Sequence, residues 1–417
     1  MKSCPNVSQS NPAAAAVLAV DPRRDLSMRI GVIVAGFCTF LPLYATQPLL
    51  TEFRRIFSAS ALAVSLTVSA VTLAIAMSSP WIGSLADAIG RKRVIVTAIL
   101  GLSVPTCLAA TSSSLSQLIA WRFAQGLFVP GIIAVTLAYI AEEALAGTAA
   151  SVTAAYITGT ILGGMSGRFI ASLIAEHSDW RGAFVSLGLT SALCGLLAWV
   201  VLPRSRRFVP QRDLVTPLKA MLVHLRNPRL LATYFVGFNA LFTLVGIFTY
   251  ANFYLAGRPF RLGLVALGSV FLVYGLGVVV TPMAGRVIDR YGYRRGIVMA
   301  LAIVVSGLLL TLIPVTCSVI LGLAVLSTGI FVAQSAASSH IGVAAKTARS
   351  SAAGLYVCFY YLGGSLGATL LGWLWRSHGW VGCVACVAML QLISGVVALR
   401  WFDSASQNID AAAVPSP

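Results

Sequence analysis

Twelve apolar runs, each long enough to cross a bilayer, set the tightest limit on what this chain can fold into. Six fall near 30–50, 62–82, 94–111, 116–140, 150–175 and 182–202. Six more fall near 230–256, 264–284, 296–314, 317–340, 351–375 and 380–401. A spanning helix takes about 20 residues. In lipid every backbone polar group has to be satisfied inside its own segment, which for runs of this length means an α-helix. The pattern predicts an all-α membrane protein with twelve transmembrane helices. Composition agrees, because only 10% of the 417 residues are charged, against about 25% in soluble domains. A soluble enzyme, a disordered chain and a secreted disulfide scaffold are excluded.

The polar stretch 203–228 reads as a linker between two halves, 29–202 and 229–402, with tails over 1–28 and 403–417. The chain carries a net charge of +17. Its Lys and Arg are scattered through short loops instead of forming a basic stripe, so no nucleic-acid partner is expected. Of the 29, 21 lie on the side that holds both tails and six on the other, with Arg122 and Arg168 inside spans. By the positive-inside rule both termini are cytoplasmic and the protein sits in the bacterial inner membrane. The stretch Ala13–Val20 is apolar for only eight residues and runs straight into Asp-Pro-Arg-Arg, so it resembles a tail more than the apolar region of a cleavable signal. All but one of the eight cysteines fall in apolar runs. Cys383 and Cys386 form a CxxC with no His or acid beside it, and read as small hydrophobes, with no metal or cofactor implied.

The halves repeat. GSLADAIGRKR (83–93) matches GRVIDRYGYRR (285–295), and LGGMSG (162–167) matches LGGSLG (362–367). Trp180 and Gly182 match Trp380 and Gly382. Parallel repeats of this kind place two pseudo-symmetric six-helix halves around a central cavity, related by an axis along the membrane normal.

The segment Gly83–Arg93 resembles the signature loop of the major facilitator superfamily, and the resemblance extends over about 29–402. Within it the chain is similar to bacterial drug/proton antiporters of the bicyclomycin-resistance and arabinose-efflux-permease-like group. Glycines suit a tight turn between packed helices. The basic residues of the loop also serve as an ordinary topology signal. The resemblance implies that Gly83, Asp87, Gly90, Arg91 and Lys92, with Gly285, Asp289, Gly292 and Arg294 in the copy, form a latch between the halves that opens during transport.

Arg122 lies inside the fourth span, and a charge at such depth is a functional hypothesis by default. With Gln125 and Gly126 it resembles a motif whose Arg is implicated in proton coupling; the alternative is an Arg that snorkels to the interface. The fifth span has a small residue at every fourth position from Ala155 to Ala175. That makes a smooth face for helix packing and sliding. Its Gly159, Gly163, Gly164 and Gly167 resemble a motif of the superfamily's exporters, and Gly363, Gly364 and Gly367 repeat it. Arg168 follows this motif and either lines the cavity or snorkels.

No acid lies deep in a span. The candidates for a proton carrier are Glu52, Glu142 and Glu143, at span ends, so proton coupling is implied by the resemblance alone. Tyr44, Gln47, Asn239, Tyr250 and Asn252 are expected to line the cavity, with Tyr360 and Tyr361 beside a glycine bend, because lipid leaves polar groups unpaired. Each is equally suited to bridging two helices. An enzyme would need clustered His, acid or nucleophile groups within spans, and the four His are scattered near loops. The expected protein is a monomeric secondary transporter in the lipid bilayer, exporting a small amphipathic substrate in exchange for protons. The alternative is uptake of a small anionic solute drawn by Arg122 and Arg168.

Overall fold

A computed structural model of the protein describes residues 22–402, apart from 146–147, 206–214 and 346; none of the described residues is in a strand. The first half contains α1 (Pro22–Leu43), α2 (Leu50–Ile56), α3 (Ala61–Ile89), α4 (Arg91–Ala109), α5 (Leu115–Glu143), α6 (Ala149–His177) and α7 (Trp180–Val201). A short helix α8 (Val215–His224) lies in the linker. The second half contains α9 (Pro228–Ala256), α10 (Leu264–Ser269), α11 (Leu276–Leu310), α12 (Thr316–Ala344) and α13 (Arg349–Trp401), with a 3-10 turn Val270–Gly275 joining α10 to α11.

Among the described residues, ten helices are long and apolar enough to cross a membrane. Helix α13 has 53 residues, roughly 80 Å at a rise of 1.5 Å per residue. That is more than twice the hydrocarbon thickness of about 30 Å. It is broken at Gly379, whose φ of 61° leaves the helical region, so it supplies two spans. The run α10–α11 breaks likewise at Gly292 (φ 78°). The segment after that break is among the ten, and with α13 counted twice and the apolar stretch from Leu264 before the break the architecture is consistent with twelve.

Local chemistry sets the ends. Ser60, Ser114 and Asp179 accept from backbone N–H groups in the first turns of α3, α5 and α7. Asn227 does the same for α9, where Pro228 opens the helix. The outer surface is apolar, with Leu193 67% and Val200 80% exposed. Such exposure is a liability in water and ordinary against lipid.

Three sequence expectations change. The first span stops at Leu43, and residues 44–49 run through turns into α2, because Pro42 and Pro48 cannot donate to a helix ladder. Helix α1 also begins at Pro22, seven residues before the expected start of the first half at 29; residues 1–21 and 403–417 lie outside the described ones. The repeated segments 83–93 and 285–295 are not loops. Each is helix on both sides of one glycine, Gly90 (φ 105°) or Gly292, and only glycine takes these values cheaply. Gly83 and Gly285 lie inside helices and face open space.

The glycine register places two helix pairs in backbone contact. A Cβ on Gly159, Gly163 or Gly167 would collide with the carbonyl of Ile33, Phe37 or Leu41, so α6 lies directly on α1. In the second half Gly363 and Gly367 meet the carbonyls of Phe238 and Phe242, so α13 lies on α9 in the same way. The internal repeat is thus a repeat of packing. Gly164 and Gly364 face side chains, Arg168 and Leu241, and are less tightly held.

Hydrogen bonds join the two halves at one end. Ser65 donates to the Ala368 carbonyl (3.0 Å) and Ser69 to that of Ser365 (3.0 Å). Ser69 and Thr369 share a hydrogen bond of 2.8 Å. Tyr250 donates to Ser65 (3.1 Å) and to Ala368 (2.7 Å). The Val265 N–H donates to Glu176 (2.8 Å). All of these lie at the end opposite the chain termini, here the far end. At the terminal end Arg24–Glu143, Arg91–Glu142 and Thr233–His340 are polar contacts within a half. The space between the halves is closed at the far end and opens toward the end that carries the termini.

Candidate substrate cavity and gates

The floor of this space is built around Arg168. Its guanidinium is 3% exposed, donates to Gln47 Oε1 (2.8 Å) and to the Gly164 carbonyl (2.5 Å). It lies 4.7 Å from the ring centres of Tyr44 and Phe271 and 5.1 Å from that of Tyr274. Tyr44 and Gln47 follow α1, Arg168 belongs to α6, and Phe271 and Tyr274 belong to the turn after α10. One cation therefore holds the two halves together through ring faces, an attraction that strengthens when water is excluded. Gln47 extends the link, donating to Thr249 of α9 (3.2 Å). None of the described ion pairs includes Arg168.

Tyrosines from both halves converge above this floor. Tyr360 lies within electrostatic reach of Tyr44, Tyr274 and Tyr356 and beside Gln334. Tyr361 lies near Tyr44 and Tyr156. The Tyr360 ring centre is 5.9 Å from that of Tyr356 and 5.4 Å from that of Tyr361. The hydroxyls of Tyr156, Tyr274 and Tyr356 are buried with no hydrogen-bond partner. Buried polar atoms are almost always paired, so these three hydroxyls stand out around the Tyr360–Tyr361 cluster, with the Tyr356 ring also packed against Gly237 of α9.

Arg122 is in a different situation. It is fully buried and donates to the carbonyls of Thr67 (3.1 Å) and Pro42 (2.9 Å), and also to Leu43 and to Gln125 Oε1. Its guanidinium fork is the cap of the broken α1, supplying donors to carbonyls that the helix end leaves unmatched. Neither snorkelling nor cavity lining describes it, since every nitrogen is engaged by the protein. Gln125 passes the network to Thr106 (2.9 Å), and Gly126 lets α5 touch the Val71 carbonyl of α3.

Two other expected cavity residues also lie elsewhere. Asn239 donates to Gln391 (2.9 Å) and Ser394 (2.7 Å) inside the second half, and its carbonyl accepts from Thr243 and Gln391. Asn252 bonds back to Phe248 on its own helix. Their polarity is spent on packing. Tyr250 belongs to the far-end seal described above.

The expected latch is engaged within one half. Arg91 holds Asp87 (2.5 Å) and Glu142 (2.8 Å), tying α3 and α4 to the end of α5. The side chain of Asp289 lies outside those described. Glu143 is paired with Arg24 at 2.7 Å and Glu52 with Arg55 at 2.6 Å. Among the described residues no group of three His, Cys, Asp or Glu could hold a metal ion. Sequence reading singled out Tyr44, Gln47, Arg168, Tyr360 and Tyr361 for this region. It missed Phe271, Tyr274, Tyr156 and Tyr356, whose only signal was an aromatic residue in an apolar run.

Comparison with known proteins agrees with this architecture. The family model of the Major Facilitator Superfamily matches residues 32–368. The chain is 34% identical over 361 residues to an uncharacterized MFS-type transporter, YybF, of Bacillus subtilis, covering 86% of this chain and 89% of the relative. It is 32% identical over 378 residues to the inner membrane transport protein YnfM of Escherichia coli, covering 90% of each. Among solved structures, a bacterial homolog of the human lysosomal transporter Spinster, inward-facing and unoccupied, superimposes with a TM-score of 0.69 at 14% identity, over 92% of this chain and 95% of that one. A multi-pass chain of two packed halves, matched by this family over most of its length, belongs to the major facilitator superfamily of membrane transporters.

Proposed function

We propose that the protein is an exporter of the inner membrane that moves a small amphipathic compound by rocking its halves, and that this structure is its inward-facing state. The reading rests on one observation above all. Hydrogen bonds between the halves gather at the far end, beside a tyrosine cluster with three orphan hydroxyls and a cation without a carboxylate. The basic tilt of the loops around the termini supports a cytoplasmic opening. A substrate entering there meets ring faces and phenol hydroxyls, a surface suited to a flat molecule with few polar groups.

In this reading transport begins when a bound substrate takes up the orphan hydroxyls and competes for Arg168. Weakening the Arg168–ring contacts and the Gln47–Thr249 bond loosens the seal, and the halves rock so that the far end opens. The repeated segments around Gly90 and Gly292 then close the terminal end. Asp87, held by Arg91 and near Glu142, is the group placed to exchange partners as that latch forms. Because the described carboxylates lie at span ends, the proton would be carried by this cluster or by Glu143, not by a deep acid.

A second reading is favoured by Arg168 itself. A buried guanidinium without an acid fits a substrate carboxylate or similar anion, which corresponds to transport of a small anionic solute. One experiment separates the two. Purified protein in liposomes with an imposed pH gradient is offered aromatic acids, their neutral amides and aromatic cations of similar size. Gradient-driven accumulation of neutral or cationic members supports amphipathic export, and accumulation restricted to the acids supports the anion reading. Failure of any member to exchange across a panel of such compounds would count against both.

A further inference from the structure

A second cavity lies on the outside of the first half, at the terminal end, away from the space between the halves. It is a groove of roughly 1710 Å³ bounded by the ends of α1, α3, α4 and α7 and by the middle of α5. Its wall is apolar and open to the side, with Leu85, Ile89, Leu127, Phe128, Trp199 and Val200 all exposed. Its rim carries Arg23, Arg24, Lys92, Arg93 and Arg204, and no acid among the described residues lines it. The volume exceeds the range of about 300–1,000 Å³ typical of drug-sized sites. The lateral opening suits a long, flexible, apolar ligand.

The rim cations are not equivalent. Arg24 is paired with Glu143. Lys92 donates to the Leu202 carbonyl, which ties α4 to the end of α7 and leaves further ammonium donors for a ligand. Arg93 and Arg204 are exposed beside it. The segment that resembles the family's signature therefore divides its basic residues. Arg91 turns inward to Asp87 and Glu142, while Lys92 and Arg93 turn to the groove.

We propose that this groove seats an anionic phospholipid of the terminal-side leaflet, its phosphate held by Lys92, Arg93 and Arg204 and its acyl chains lying along Leu85, Ile89, Phe128 and Trp199. Charge complementarity selects the occupant: the rim attracts anions, and the wall is the shape and polarity of lipid tails. Basic pockets between membrane helices hold anionic headgroups by this combination. Because Arg91 and Lys92 are neighbours on α4, an occupied groove braces the helix whose other face holds Asp87. The proposal does not depend on the transported substrate.

Brominated lipids test it through Trp199, which sits in the groove. Full-length protein is reconstituted in liposomes containing equal mole fractions of phosphatidylglycerol and phosphatidylcholine, with either one dibrominated. The Trp199 contribution is obtained by subtracting the Trp199→Phe signal. Each basic residue near an anionic surface contributes roughly a factor of five in preference, so brominated phosphatidylglycerol should quench Trp199 several-fold more than brominated phosphatidylcholine. Lys92→Gln/Arg93→Gln/Arg204→Gln should remove the difference, and Arg204→Gln alone, at an exposed site that does not threaten folding, should reduce it. Lys92→Arg/Arg93→Lys/Arg204→Lys should keep it. Equal quenching by both lipids in the wild-type protein overturns the proposal. So does a preference that appears only after deletion of residues 2–20, which would assign the groove to the N-terminal tail.

Discussion

Removing the guanidinium of Arg122 takes a charged donor away from the carbonyls of Pro42, Leu43 and Thr67 in a dry interior. Each hydrogen bond to a charged group is worth about 1.5–3 kcal/mol, offset in part by the desolvation that the charge itself costs. Arg122→Gln should therefore destabilise the folded protein by about 2–4 kcal/mol, read as a lower midpoint of thermal unfolding in detergent. Arg122→Lys should recover little, since an ammonium cannot reach three diverging carbonyls. A variant as stable as wild type would show that the broken helix needs no cap. Arg168 should behave in the opposite way. Its neighbours are ring faces, one amide and the Gly164 carbonyl of its own helix, so Arg168→Lys and Arg168→Gln should fold while raising the half-saturating concentration for transport, with Gln the worse. Tyr274→Phe, which deletes one orphan hydroxyl, should raise that concentration by about 3- to 10-fold with little change in maximal rate. Tyr274→Phe transport identical to wild type would take the hydroxyl out of the site. Both arginines were legible in the sequence as intramembrane charges. Their different uses were not, because the break in α1 that creates the carbonyls depends on how residues 44–49 turn, and only Pro42 and Pro48 hinted at it.

At the scale of helices, the glycine register was the most legible feature. A small residue at every fourth position fixes one face of a helix whatever the rest of the fold does, and α6 uses that face against α1. What the spacing left open was the partner. The structure also shows contact so close that even a methyl group is excluded. Gly163→Ala and Gly363→Ala should each lower the yield of folded protein, because the added carbon meets the Phe37 or Phe238 carbonyl, and a backbone cannot swing aside. Gly164→Ala meets the end of the Arg168 side chain and should be milder. Size-exclusion profiles of the three variants in one detergent measure this directly, and equal behaviour of Gly163→Ala and Gly164→Ala would mean that the close approach relaxes without penalty. The break points were less readable. Gly379 and Gly292 lie in short polar runs, Arg376–His378 and Asp289–Arg295, which mark where spans end, but the sharp break at one glycine of positive φ instead of a loop is visible only in the structure.

For the molecule as a whole, the twelve runs, the central linker and the repeated motifs foretold two matched halves, but no feature of one sequence says which end of the cavity is closed. That depends on pairs drawn from distant segments, and Ser69 with Thr369 is the most direct of them, 2.8 Å apart across the far-end seal. In a background freed of native cysteines, Ser69→Cys/Thr369→Cys should cross-link readily under mild oxidation, holding the far end shut. The linked protein should still admit substrate from the terminal side and bind it, yet fail in gradient-driven transport until a reductant is added, because rocking has to part these two helices. Transport that persists in fully cross-linked protein would mean that the far end need not open, and would overturn alternating access by movement of the halves. The same background tests orientation. A single Tyr360→Cys, facing the open space, should react with a membrane-impermeant maleimide in inverted vesicles and resist it in intact cells. Fast labelling from outside intact cells would place the opening, and with it both termini, on the other side of the membrane from the one that the 21-to-6 division of basic residues indicates.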